Sequence, residues 1–107
     1  MTEVRIHHGD LALTGEARAS IDEHAAKLQT LDPEIQRFNV TIDAPATHHR
    51  HGGPFAVHID LALPGKLITV THRAAPELQA AIHTAFDAAR RQLEEYHRRK
   101  RDLARQP

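Results

Sequence analysis

Apolar residues recur along this 107-residue chain with two different periods. Val4 and Ile6 alternate with polar neighbours over Glu3–His8, which predicts a short first strand. Gly9-Asp10 breaks it. Leu11 and Leu13 then lead to Thr14, a residue type suited to capping a helix N-terminus. Ala17, Ile21, His24, Ala25, Leu28 and Leu31 follow at steps of three and four, so a first helix is expected, with Glu16 in its opening turn. Asp32-Pro33 should end that helix, because the residue before proline is pushed out of the α region. The period returns to two at Phe38, Val40 and Ile42, and again at Phe55, Val57, Ile59 and Leu61. Between these strands Ala44–Pro54 holds two prolines and two glycines without periodicity, as a loop does. Pro64-Gly65 predicts a hairpin turn into a fourth strand over Lys66–His72, with Arg73–Ala75 as a connection.

The longest pattern runs from Pro76 to about Arg101. Leu78, Ile82, Ala85, Phe86, Ala89, Leu93 and Tyr96 form one helical stripe, and Pro76 suits a first helical position. After Tyr96 the stripe stops. Lys100 falls where the next apolar residue belongs, and the sequence His97-Arg98-Arg99-Lys100-Arg101 takes over. The helix is therefore expected to pack as far as Tyr96 and then to project into water with a basic end.

The element order is β-α-β-β-β-α. A right-handed first βαβ unit makes strands one and two parallel, and the remaining strands form an antiparallel meander. Each strand has one polar face, so only one side of the sheet needs covering. The expected fold is an α+β two-layer sandwich: a four-stranded mixed sheet with both helices on one face. Residues 1–101 read as a single domain and 102–107 as a short C-terminal tail.

Charge adds an asymmetry. Lys plus Arg and Asp plus Glu both number 14. Residues 90–107 nevertheless hold seven bases against three acids, and residues 1–89 hold seven against eleven. A local basic end can find a polyanion that the average charge does not advertise. On the long helix, His83, Arg90, His97 and Arg101 share one flank. Arg91 and Arg98 share the solvent side with Asp87, Glu94 and Glu95. That face reads either as a phosphate-tracking surface diluted by acids or as a solvated face laced with Arg–Glu pairs. Aromatic residues are few and mostly fall at core positions, so binding of RNA would rely on backbone and shape rather than on base stacking.

Other chemistries find less support. With no cysteine, disulfides and cysteine-ligated zinc are excluded, and a reducing cytoplasm is the expected location. The N-terminus has no apolar run and no segment approaches about 18 apolar residues, so neither a secretory leader nor a membrane span is expected. Asp43, Asp60 and Glu77 are scattered acids, and no nucleophile motif or phosphate-binding glycine loop is present. The chain is not expected to be an enzyme, to carry a cofactor or to bind a small-molecule substrate. His48, His49 and His51 lie within four residues beside Gly52-Gly53 and are weak candidate metal ligands, because the loop lacks a carboxylate and contains Arg50.

Several local features resemble the short ribosome-hibernation factors, also called the sigma-54 modulation or S30EA-like family. They are Leu13-Thr14 followed by Arg18 and Ala26-Lys27-Leu28; the Pro64-Gly65 turn; and Ala81-Ile82 followed by Arg91-Gln92-Leu93. The likeness spans residues 1 to about 100. It implies a fold similar to double-stranded-RNA-binding domains. It also implies binding to rRNA of the small ribosomal subunit, in the channel used by mRNA and tRNA, so that translation is silenced under stress. By position it assigns phosphate contacts to Arg18, Lys27 and Arg91. Arg90, Arg98, Arg99, Lys100 and Arg101 join them by chemistry. The chain departs from that family at Glu77-Leu78-Gln79, where the family has Asp-Met-Tyr, at Ala88, and at His24. The alternative is a divergent interaction module of the same fold, metal- or pH-responsive through His48–His51. A monomer or weak dimer is expected, with an open sheet edge or the polar sheet face as the surface for pairing.

Overall fold

The computed structural model describes residues 2–9, 11–43, 55–75 and 77–105. Its elements follow the expected order: β1 (Val4–His7), α1 (Gly15–Leu31), β2 (Arg37–Asp43), β3 (Phe55–Leu63), β4 (Lys66–Ala75) and α2 (Leu78–Arg105). The sheet runs β1-β2-β3-β4, with β1 parallel to β2 and the other pairs antiparallel. The register aligns the alternating apolar residues into rows across the sheet. Val4, Phe38, Leu61 and Ile68 make one row; Ile6, Val40, Ile59 and Val70 make the next.

Both helices cover that one face. The buried side chains of α1 (Ala17, Ile21, Ala25, Leu28) and α2 (Ala81, Ile82, Ala85, Phe86, Ala89, Leu93) join the strand rows in a single core. Phe86 links the layers, with its ring 6.0 Å from Phe38 on β2 and 5.3 Å from His24 on α1. The opposite face carries Arg5, Asn39, Asp60 and Thr69 in one row and His7, Thr41, His58 and Thr71 in the next. The alternation that fixed the register thus also fixed which face stays open.

Local signals set the element ends. The Thr14 hydroxyl accepts the Ala17 N–H at 3.1 Å, as an N-cap does. Asp32 stops α1 in an extended conformation before Pro33. Pro64-Gly65 joins Leu63 directly to Lys66, and Gly65 has φ +70°, a left-handed conformation that glycine adopts without steric cost.

Element bounds and burial differ from the sequence reading at three elements. β4 continues through Arg73 to Ala75, where Ala75 pairs with Phe55 of β3 beyond a bulge between Phe55 and Val57. The long helix starts at Leu78 and continues to Arg105, past the expected end near Arg101; Pro76 lies outside the described residues. On α1, Leu31 is 39% exposed and leaves the expected stripe, while Gln29 is 6% exposed. Gln29 is buried because its amide is satisfied: it accepts the Thr2 N–H at 2.7 Å and donates to the Thr2 carbonyl at 3.0 Å.

Replacing Ile59, fully buried in the central row, by alanine is expected to cost about 2–5 kcal/mol in urea unfolding. Leu103, 67% exposed beyond the end of the core, should tolerate alanine within about 0.5 kcal/mol. A comparable loss at both sites would place the core's end beyond Tyr96.

Candidate nucleic-acid interface

The basic residues of α2 stand in a ladder of i,i+3 and i,i+4 contacts. Asp87 accepts from Arg90 at 2.8 Å and lies 3.2 Å from Arg91. Arg90 also reaches Glu94 at 3.1 Å. One turn on, Glu95 accepts from Arg98 and, at 3.1 Å, from Arg99. On α1, Lys27 lies 3.8 Å from Glu23. The hydrogen bond from Arg90 holds the Asp87 carboxyl below its usual range, and the bond from Arg98 does the same for Glu95. The partners Arg90 and Arg98 are correspondingly raised by those carboxylates. A lowered carboxyl pKa stabilises the fold above its unfolded value, and the effect is lost as pH falls through the folded value, so these pairs are complete at neutral pH. All of them are solvent-exposed, where water and salt screen the attraction. Among the described residues Arg18, Lys100 and Arg101 form no ion pair. The Lys100 ammonium stands 6.0 Å from the centre of the Tyr96 ring.

The expected contacts do not form one patch. Arg18 and Lys27 are nine residues apart on α1, which at about 100° per residue puts them on opposite sides of the helix. Lys27 and Arg90 meet in a cleft of about 280 Å³ between the two helices, together with His24, His83 and Asp87. Arg91, Arg99 and Lys100 lie on the other flank of α2. There they line a cleft of about 660 Å³ with Lys66, Ile68, Tyr96 and Leu103. α2 is thus a ridge with a cation-bearing cleft on each side, and Arg98 and Arg101 are exposed along it.

Lys66 was not singled out in the sequence. It is a lone lysine after a turn, and only the placement of β4 beside α2 brings it to three helical cations. The link between His97 and Asp32 was equally invisible. His97 Nε2 lies 2.7 Å from Asp32 Oδ2 across 65 residues of sequence. A carboxylate can only accept, so Nε2 carries the proton. Asp32 Oδ1 also accepts the Glu34 N–H at 2.9 Å. One side chain therefore closes the turn after α1 and fastens it to α2 where the apolar stripe gives out.

On the open face His58 donates from Nε2 to Asp60 at 2.9 Å, and its Nδ1 accepts from the Thr71 hydroxyl at 2.6 Å. This chain of contacts lies on an open sheet rather than in a cavity. His48, His49 and His51 lie outside the described residues. Among the described residues no group of three or more His, Cys, Asp or Glu side chains is placed to hold a metal ion, and no helix is long and apolar enough to cross a membrane.

The family model described as "Sigma 54 modulation protein / S30EA ribosomal protein" matches residues 4–101. Among solved structures, a ribosomal subunit interface protein from Coxiella burnetii superposes with a TM-score of 0.73 at 13% identity, covering 88% of this chain and 96% of that one. The N-terminal domain of Thermus thermophilus Protein Y gives a TM-score of 0.70 at 23% identity, covering 86% and 94%. No curated protein matches the chain.

His97→Ala would leave a nearly buried Asp32 oxygen without its donor and is expected to cost about 1–3 kcal/mol in chemical denaturation. Arg101→Ala, on the same flank one turn further on, should leave stability unchanged. Equal stability of the two variants would remove the role given to the His97 contact.

Proposed function

From the premise that the chain belongs to the sigma 54 modulation protein / S30EA ribosomal protein family, we propose that it is a non-enzymatic, cytoplasmic, rRNA-binding protein that occupies the small ribosomal subunit and inhibits translation under stress. The observation that carries this reading is the α2 ridge: exposed cations along a rigid helix, with a cation-bearing cleft on either flank. A rigid basic ridge suits the RNA backbone, whose phosphates recur along a groove and are read by charge and shape. The names of the two solved structures, a ribosomal subunit interface protein and Protein Y, agree with a ribosomal partner.

The carboxylates of α2 bear on how such binding works. Arg90, Arg91, Arg98 and Arg99 each hold an acidic partner in the free protein. Exposed pairs of this kind are weak, so an arginine can exchange a carboxylate for a phosphate at small cost. Lys100 and Arg101 need no exchange. The same acidic partners favour a second reading, a non-ribosomal interaction module of the same fold. One experiment separates the two.

Purified protein should co-sediment with small ribosomal subunits at low salt and be released as salt rises. Reversing Arg98, Arg99, Lys100 and Arg101 to glutamate should abolish pelleting. Asp87→Asn removes the acidic partner of Arg91 and one of the two held by Arg90, and should tighten binding severalfold. It should also steepen the slope of log affinity against log salt by about 0.7–0.9 for each arginine that gains a phosphate. Absence of pelleting even at low salt would leave the interaction module as the function.

A further inference from the structure

The cleft between α1 and α2 contains two histidines that the reading above does not use. His24 and His83 meet edge to face across it, with ring centroids 5.7 Å apart. His24 is half-buried, tilted against Phe86 at 5.3 Å, and its Nδ1–H donates to the Ser20 carbonyl at 2.7 Å. Nδ1 is thereby committed, and Nε2 is the atom that gains a proton on acidification. His83 is exposed at the rim.

The fixed charges lining the cleft are few: Lys27, Arg90 and Asp87. From α1 the cleft receives Lys27, which is bridged to Glu23. From α2 it receives Arg90 and Asp87, and these contact Arg91 and Glu94. Arg91 lies on the other flank of α2, and Glu23 and Glu94 stand outside the lining, so two cations face one carboxylate in the cleft. With both imidazoles neutral the lining carries about one net positive charge, and Glu23 and Glu94 partly offset it. With both protonated it carries about three. Two imidazolium rings at this separation also repel each other, and an anion seated between them would relieve the repulsion. Protonation of the histidines thus sets how strongly the cleft attracts a phosphate, on top of what Lys27 and Arg90 supply.

We propose that the α1–α2 cleft is a proton-gated phosphate seat. In it His24 and His83, when protonated, join Lys27 and Arg90 in gripping a backbone phosphate of the bound RNA, so that affinity rises as pH falls through the imidazole range. The idea rests on the rRNA-binding reading, and it adds a regulation of that binding. By linkage, if protonated imidazoles bind phosphate better, bound phosphate must raise the affinity of His24 and His83 for protons.

The test compares binding to small subunits at about pH 6 and about pH 8 at constant ionic strength. Wild type is expected to bind about tenfold more tightly at the lower pH, the scale of one good charge-assisted hydrogen bond. His24→Gln/His83→Gln is expected to lose that difference. Because His24 packs on Phe86, His83→Gln alone, at an exposed site, provides a variant free of any folding defect and should reduce the difference. Binding that is equally tight at both pH values, or a pH difference that survives in the double variant, overturns the proposal while leaving ribosome binding in place. If subunits bind at neither pH, the ribosomal reading fails, and the cleft is judged by imidazole NMR with inorganic phosphate as the probe. Raised pKa values at His24 and His83 on phosphate addition then support the seat, and unmoved values overturn it.

Discussion

The structure depends on a sheet that is apolar on one face only. Val40, Ile59 and Val70 align across three strands and cannot remain in water, and both helices must lie over them. α2 meets this demand with the stripe from Leu78 to Tyr96. At about 1.5 Å per residue its 28 residues reach about 42 Å, more than the core can cover. The remaining turns extend beyond the core, and arginine and lysine make up most of their residues. The helix is anchored by hydrophobic burial at one end and available for charge at the other.

That division also organises the interface. Because α2 stands proud of its neighbours, it has two flanks, and each flank faces an element that supplies a further cation: Lys27 from α1 and Lys66 from β4. The acids on α2 limit free positive charge by pairing with its arginines. An incoming phosphate reaches these guanidinium groups in competition with the helix's own carboxylates.

Much of the fold was legible because it rests on periodicity. Alternation at Phe38–Ile42 and Phe55–Leu61 gave the strands and their buried face. Steps of three and four gave the helices, and Pro64-Gly65 gave the hairpin. The sequence also placed the end of packing at Tyr96 correctly. What stayed hidden rests on polar atoms that meet across long separations. Gln29 is buried because Thr2 satisfies its amide. Asp32 reads as a helix stop, yet it also holds His97, 65 positions away. The division of the basic residues between two clefts follows from which helix face each occupies and from what lies beside it. Arg18 and Lys27 look like neighbours in a list of cations, but lie on opposite sides of α1.

The projecting end of α2 has a consequence for how this electrically neutral protein is perceived by another molecule. Its longest dimension is 59 Å. At physiological ionic strength charges are screened beyond about 8 Å, so the excess of acids elsewhere in the chain is invisible to anything touching the basic helix end. A polyanion therefore encounters a cationic rod rather than a neutral protein. In very dilute salt, where screening extends to about 30 Å, the far acids come back into view. The protein then approaches as a dipole, turned helix-end first by torque before any contact is made.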